Sequence, residues 1–103
     1  MPRDLHLAAV VVTKDAPLFE TSVPISVFGT DRTDDGGPPL RVIVAAETSD
    51  AVTTAGLRLS GLHDLDAIDQ AGVVIVPAWP HPEMRPSEHL SSALRRAIAE
   101  GRP

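Results

Sequence analysis

The chain has 103 residues, which is room for one small domain. Hydrophobic residues make up 43% of it and aromatic residues only 3%, so we expect a core of Val, Ile, Leu and Ala, as in a buried parallel sheet covered by helices. The net charge of −5 argues against a DNA reader, and the absence of cysteine excludes a disulfide framework, a thiolate metal site and a cysteine nucleophile within these residues.

The first predicted elements are a strand and a helix. Residues 5–12 form a short apolar run rich in β-branched residues, which predicts a strand buried on both faces. Asp15 is expected to cap the helix that follows and Gly29 to end it. Pro24 falls inside this helix, so we expect a kink there, or a helix that begins only near Ser22. Three apolar side chains recur at helical spacing and form one stripe: Phe19, Val23 and Val27.

The middle of the chain predicts two longer strands with small elements between them. A polar loop rich in Gly and Pro over residues 30–39 leads to a second strand over residues 40–46. Alternation around Gly56 then predicts a short hairpin or two edge strands. Residues 73–76 (VVIV) give the strongest signal for a buried strand, which Pro77 ends. One helical turn is expected from Leu62, Leu65 and Ile68.

The last predicted element is a helix that Ser87 caps and Gly101 closes. Its apolar side is expected to carry Leu90, Ala93, Leu94, Ala97 and Ile98. The order of strand, helix, strand, small strands, strand and helix predicts an α/β domain with a parallel sheet and helices on both faces. A helix after a buried parallel strand normally crosses over to another strand, and none follows here. We therefore expect residues 1–103 to be the amino-terminal part of one incomplete domain.

The carboxylate of Glu20 is the most interesting candidate for chemistry. It lies beside the apolar stripe near the carboxyl end of the first strand, where open α/β sheets hold their ligands. A half-buried carboxylate there could hold a raised pKa and exchange a proton. The alternative, which spacing alone favours, is a rim glutamate at the helix N-terminus, where the helix dipole stabilises it.

The turn after the VVIV strand is a second candidate. Backbone N–H groups around Ala78 could bind an anion or an oxyanion, and the lone Trp79 could line a pocket. The alternative, favoured without further observations, is a tight turn in which Trp79 covers the end of the sheet.

The remaining polar residues predict no catalytic or metal site and no cofactor. The four histidines show neither an i, i+4 pair nor an HExxH pattern; they are His6, His63, His81 and His89. Ser60, His63 and Asp64 are the residue types of a hydrolase triad, but they are crowded into five positions, whereas triad members normally come from separate elements.

The chain is predicted to be cytoplasmic, with no membrane partner. No stretch approaches the length needed to span a bilayer. The start of the chain, residues 1–12, is interrupted by Asp4 and His6, and no small-residue cleavage site follows it, so a signal peptide is not predicted.

Several motifs together resemble a known family. They are residues 17–32 (PLFETSVPISVFGTDR), 35–39 (DGGPP), 54–57 (TAGL) and 74–79 (VIVPAW). They are similar to the amino-terminal domain of AraC-family transcription regulators of the GlxA and AdpA type. That domain belongs to the class I glutamine-amidotransferase-like superfamily, which includes the PfpI-type proteases and isonitrile hydratases. The resemblance implies a flavodoxin-like fold and covers nearly the whole chain.

The resemblance also implies a site. In the superfamily's enzymes an acid from the first helix approaches a cysteine on a sharp strand-to-helix turn, and Glu20 matches the position of that acid. The turn after the VVIV-type strand supplies an oxyanion N–H, usually from glycine, where this chain has Ala78. The cysteine turn and the DNA-binding helix-turn-helix domain are absent. The candidate ligand-binding residues are therefore Glu20, Ala78 and Trp79, with no catalytic residue.

Two functions follow from the resemblance. The first is a fragment of the sensor and dimerisation domain of an AraC-family regulator. Such a fragment would bind a small-molecule effector and pair with a second copy or a partner that covers the open sheet edge, and the intact protein would reach DNA only through the absent domain. The alternative is a truncated PfpI-type cysteine hydrolase or isonitrile hydratase-like enzyme, which shares the fold and the acid.

Overall fold

The computed structural model describes residues 4–30, 33–37, 39–77, 79 and 85–101. Four strands form a parallel sheet in the order β5-β2-β1-β6. They are β1 (Asp4–Val11), β2 (Arg41–Ala46), β5 (His63–Asp64) and β6 (Ala71–Ile75). Two α-helices accompany them, α1 (Leu18–Gly29) and α2 (Glu88–Ala99), so the predicted α/β class with a parallel sheet is confirmed.

Strand β1 lies in the centre of the sheet, between β2 and β6. Its second half is buried on both faces, as the continuous apolar run predicts. Leu7, Ala9 and Val11 point to one face and pack against α2. Ala8 and Val10 point to the other face, which is the face of α1.

Helix α2 covers the first of these faces. Ser87 caps it as predicted, because the Ser87 hydroxyl accepts a hydrogen bond of 3.1 Å from the backbone N–H of Leu90. The buried side of the helix consists of Leu90, Ala93 and Ala97, with Leu94 partly buried. The prediction that Ile98 shares this side is wrong, since its side chain is 74% exposed. Successive residues of an α-helix are about 100° apart around its axis, and this spacing places Ile98 roughly 100° from the centre of the buried stripe.

Helix α1 begins in a different way from the prediction. It starts at Leu18, so the alternative of a start near Ser22 is wrong, and it continues through Pro24. Asp15 does not cap it, because that residue lies before the helix in a left-handed conformation with φ of 61°. The backbone N–H of Leu18 instead donates a 3.1 Å hydrogen bond to the hydroxyl of Thr54, which lies 36 residues away.

Thr54 belongs to a small antiparallel hairpin, as the alternation around Gly56 predicts. Its strands are β3 (Ala51–Val52) and β4 (Arg58–Leu59), joined through a 3₁₀ turn at Thr54–Gly56. Two further backbone hydrogen bonds of 2.9 Å fasten the hairpin to the segment before α1. They run from the N–H of Asp15 to the carbonyl of Val52 and from the N–H of Thr54 to the carbonyl of Ala16.

The segment after the hairpin contains the edge strand β5 and a 3₁₀ helix at Leu65–Gln70. Leu65 and Ile68 are fully buried there, as the predicted apolar turn requires, but Leu62, the third residue of that prediction, lies before β5 and outside the turn. Asp64 caps this helix, since its Oδ1 accepts a 3.0 Å hydrogen bond from the N–H of Asp66. Neither described α-helix, at 12 residues each, is long and apolar enough to cross a membrane.

The contact between β1 and β6 is close at Gly72. A Cβ atom at this position would lie 2.8 Å from the Cα of Leu5 and 2.9 Å from the carbonyl oxygen of Asp4, which are both backbone atoms. We expect Gly72→Ala to lower the free energy of unfolding by about 1–3 kcal/mol, because the two strands must separate to admit the methyl group. Urea denaturation followed by circular dichroism measures this change.

Gly29→Ala is the matched control. Its Cβ would meet only the side-chain Cγ1 of Val42, at 3.0 Å, and a side chain can move more easily than a strand. Equal losses of stability in the two variants would contradict the proposed backbone contact at Gly72.

Candidate functional site

Two concave surfaces border the sheet. The first, which we call the α1–β6 groove, is open, almost wholly apolar and about 620 Å³ in volume. It lies between helix α1 and the edge strand β6. Its lining residues are Phe19, Glu20, Val23, Pro24, Val27, Phe28, Val73, Ile75 and Pro77.

The predicted apolar stripe of α1 lines this groove and does not enter the core. Phe19 is 75% exposed, Val27 is 49% exposed and Val23 is 41% exposed, whereas the one buried residue described in α1 is Thr21. The helical spacing was therefore predicted correctly, but within the described residues nothing covers the stripe.

Glu20 lies in the first turn of α1 and on the rim of the same groove. The expectation of a half-buried carboxylate is wrong, because Glu20 is exposed. Its carboxylate forms no hydrogen bond or ion pair with any residue that the structure describes. A first-turn position does place it where the helix dipole favours a negative charge, as the alternative interpretation requires.

The second concave surface, which we call the strand-end pocket, is more enclosed and has a volume of about 580 Å³. It lies at the carboxyl ends of β1 and β2, between the hairpin and the start of α2. Its lining residues are Val11, Val12, Thr13, Lys14, Asp15, Ala46, Glu47, Thr48, Asp50, Ala51, Val52, Leu65, Trp79, Arg85, Ser87 and Leu90.

Trp79 lines the strand-end pocket and packs against the core beneath α2. Glu20 lines the other concave surface, so the structure does not place these two candidate residues in one pocket. Ala78, the third candidate and the predicted oxyanion donor, lies outside the described residues. The ligand-binding role of all three stays a prediction.

Sequence reasoning missed the polar groups of the strand-end pocket. Lys14 and Arg85 come from segments 71 positions apart, and no motif joins them. The hydroxyl of Thr13 is buried, and it has no hydrogen-bond partner in the part of the chain that the structure describes. One signal was available, since residues 13–15 directly follow a buried strand, where parallel sheets collect their ligand-binding groups.

Sequence reasoning also missed a cluster on the surface of the α2 side. The Nε2 atom of His89 lies 3.6 Å from Asp66 Oδ1 and 3.9 Å from Asp64 Oδ1. These three donor atoms lie within 4.8 Å of one another, so the cluster could hold a metal ion, although all three residues are exposed. Arg96 lies beside it, and a 3.1 Å hydrogen bond to Asp69 raises the pKa of this guanidinium. The absence of a metal site stays a prediction.

The chain was compared with known proteins. No family model matches the sequence, and no curated protein matches it. Among solved structures, oxidized DJ-1 of Toxoplasma gondii is similar, with a TM-score of 0.66 and 20% sequence identity over 93% of this chain. The match covers 52% of the Toxoplasma chain, so this chain spans about half the length of that protein. At this identity the likeness shows the fold alone, which is flavodoxin-like.

Because the α1 stripe is exposed, substitutions on the two faces of the sheet are expected to change the stability of the chain by different amounts. In dilute solution, where no second copy covers the groove, we expect Phe19→Ala to change the free energy of unfolding by less than about 0.5 kcal/mol, because the ring is already mostly in water. Leu65→Ala, at a fully buried position, is expected to cost about 2–5 kcal/mol. Urea denaturation of both variants measures the difference. A loss at Phe19 as large as that at Leu65 would show that the stripe is buried in the protein in solution.

Proposed function

We propose that this chain is part of the sensor and dimerisation domain of an AraC-family transcription regulator, and that it neither catalyses a reaction nor binds DNA specifically by itself. One observation carries this proposal: a DJ-1-like and PfpI-like fold holds a small-molecule-sized pocket at its strand ends, in a chain that has no cysteine. The motifs of residues 17–32 and 74–79 support the regulator branch of the superfamily. A cytoplasmic location is part of the proposal.

The charged groups support the absence of specific DNA binding. Four arginines of the described residues pair with acids: Arg41 with Asp4, Arg58 with Asp50, Arg95 with Glu88 and Arg96 with Asp69. Paired guanidinium groups contribute little to the neutralisation of phosphates, and the whole chain carries a net charge of −5. The effect on transcription would therefore depend on a separate DNA-binding domain.

The α1–β6 groove supports a role in assembly. Strand β6 lies at the end of the described sheet, and the exposed stripe of α1 lies beside it. Unpaired strand edges and apolar surfaces of this kind are normally covered. We propose that a second subunit, or another part of a longer protein, covers this groove and the edge of β6.

The alternative is a truncated PfpI-type cysteine hydrolase or isonitrile hydratase-like enzyme. One observation favours it: Glu20 lies in the first turn of α1, on the helix where the resemblance expects the catalytic acid of the superfamily's enzymes. The coding sequence that follows residue 103 discriminates the two functions. A helix-turn-helix region supports the regulator, whereas a stop soon after a cysteine-bearing turn supports the enzyme.

We expect no specific electrophoretic mobility shift when the 103-residue chain is mixed at physiological salt with promoter fragments from its own genome. The reason is the acidic net charge and the pairing of four arginines with acids. The same chain fused to a helix-turn-helix domain of known operator serves as the positive control. A shift by the 103-residue chain that excess unrelated DNA does not abolish would overturn the proposal.

A further inference from the structure

The strand-end pocket has the size and the position of a small-molecule site. Its volume of about 580 Å³ is typical of pockets that enclose a metabolite-sized ligand. It lies at the carboxyl ends of the parallel strands β1 and β2, where open α/β sheets bind ligands. The side chains of the lining determine which chemical class of ligand the pocket would select.

Eight of the sixteen lining residues are apolar, and several of these are fixed in place by the core. Val11, Leu65 and Leu90 belong to the buried cluster beneath α2, so these walls cannot move without disturbing that cluster. Trp79 contributes an aromatic ring that packs partly against the same cluster. These walls favour a ligand with an apolar body, and the indole suits a flat or aromatic one.

Some charged side chains of the lining have interaction partners within the chain and others do not. Glu47 accepts a hydrogen bond from the hydroxyl of Ser87, and Asp50 lies 3.5 Å from Arg58. Asp15 also has an interaction of its own. Lys14 and Arg85, in contrast, form no ion pair with any residue in the described ranges. Lys14 and Arg85 are therefore the charged side chains of the lining that have no partner among the described residues, and they are available to a ligand.

The hydroxyl of Thr13 adds a hydrogen-bonding group. Its Oγ1 is buried without a partner among the described residues, and Thr13 lies on the lining between Val12 and Lys14. An unsatisfied buried hydroxyl costs free energy, so a hydrogen bond from the pocket side would be favourable.

We propose that the strand-end pocket binds a small amphiphilic carboxylate. Its anionic group pairs with Lys14 and Arg85 and accepts a hydrogen bond from Thr13, and its apolar body lies against Trp79. The two cations and one hydroxyl match the two oxygens of a carboxylate. This inference rests on the proposed sensor role and specifies the chemistry of the effector.

The chain carries its own reporter for this test, because Trp79 is its one tryptophan. Binding is measured on the 103-residue chain from the Trp79 fluorescence during titration with 4-phenylbutyrate at pH 7. The neutral isostere 4-phenylbutanamide is titrated in parallel. We expect a saturable change with the carboxylate and affinity at least about tenfold weaker for the amide, which cannot form the ion pairs. Equal affinity for the two compounds, or no saturable change with the carboxylate, would overturn the inference.

Three variants locate the site. Lys14→Gln and Arg85→Gln are each expected to weaken 4-phenylbutyrate binding about tenfold, since each removes one charge-assisted hydrogen bond. Thr13→Val is expected to weaken it about fivefold while raising the unfolding temperature of the free chain, because the buried hydroxyl is replaced by a methyl group.

Arg95→Gln is the matched control, because Arg95 is an exposed arginine of α2 that pairs with Glu88 and does not line the pocket. It should leave the affinity unchanged. A loss in Arg95→Gln equal to that in Arg85→Gln would show attraction to the surface in general and overturn the inference. The mobility-shift test does not involve this pocket, so the failure of either proposal is recognised independently of the other.

Discussion

The burial of the second half of β1, residues 7–11, is the constraint on which the other elements depend. The strand gives one backbone edge to β2 and the other to β6, and its residues from Leu7 to Val11 are at most 6% exposed. Because both partners run parallel to it, the chain must return to the same end of the sheet before each of them begins. Each connecting segment crosses one face of the sheet, and the carboxyl ends of the parallel strands lie together at one end of it. The strand-end pocket is a consequence of that arrangement.

The two faces of the sheet are covered unequally. On one face, α2 and the 3₁₀ helix enclose Leu65, Ile68, Ala93 and other buried residues in a continuous cluster. On the other face, α1 buries Thr21 and leaves Phe19 and its neighbouring apolar residues on the surface. The described residues therefore obtain most of their hydrophobic stabilisation from one side. The two candidate sites differ in the same way. The strand-end pocket has walls that belong to the buried cluster, whereas the α1–β6 groove is open.

The sequence predicted the elements whose signals are local. Continuous apolar runs located β1, β2 and β6, and a serine before an amphipathic stretch located α2. The start of α1 was not predictable, because its hydrogen-bond partner is Thr54, far along the chain. The two polar residues of β5 form a strand only through their pairing with β2. Of the two interpretations of Glu20, its exposure agrees with the rim glutamate and not with the half-buried carboxylate, and the choice between them depends on what packs over α1. The lining of the strand-end pocket comes from several separate segments, which no short pattern connects.

The hydrogen bonds between the hairpin and the start of α1 have a mechanical consequence. Asp50, Ala51 and Val52 form part of the pocket wall, and the adjoining turn holds the first backbone amide of α1 through Thr54. The hairpin that forms a wall of the strand-end pocket is thus connected to helix α1, which borders the α1–β6 groove. A β-bridge between Ala16 and Thr53 lies at this connection. Any displacement of the hairpin away from the strand ends must either stretch these bonds or move the first turn of the helix with it.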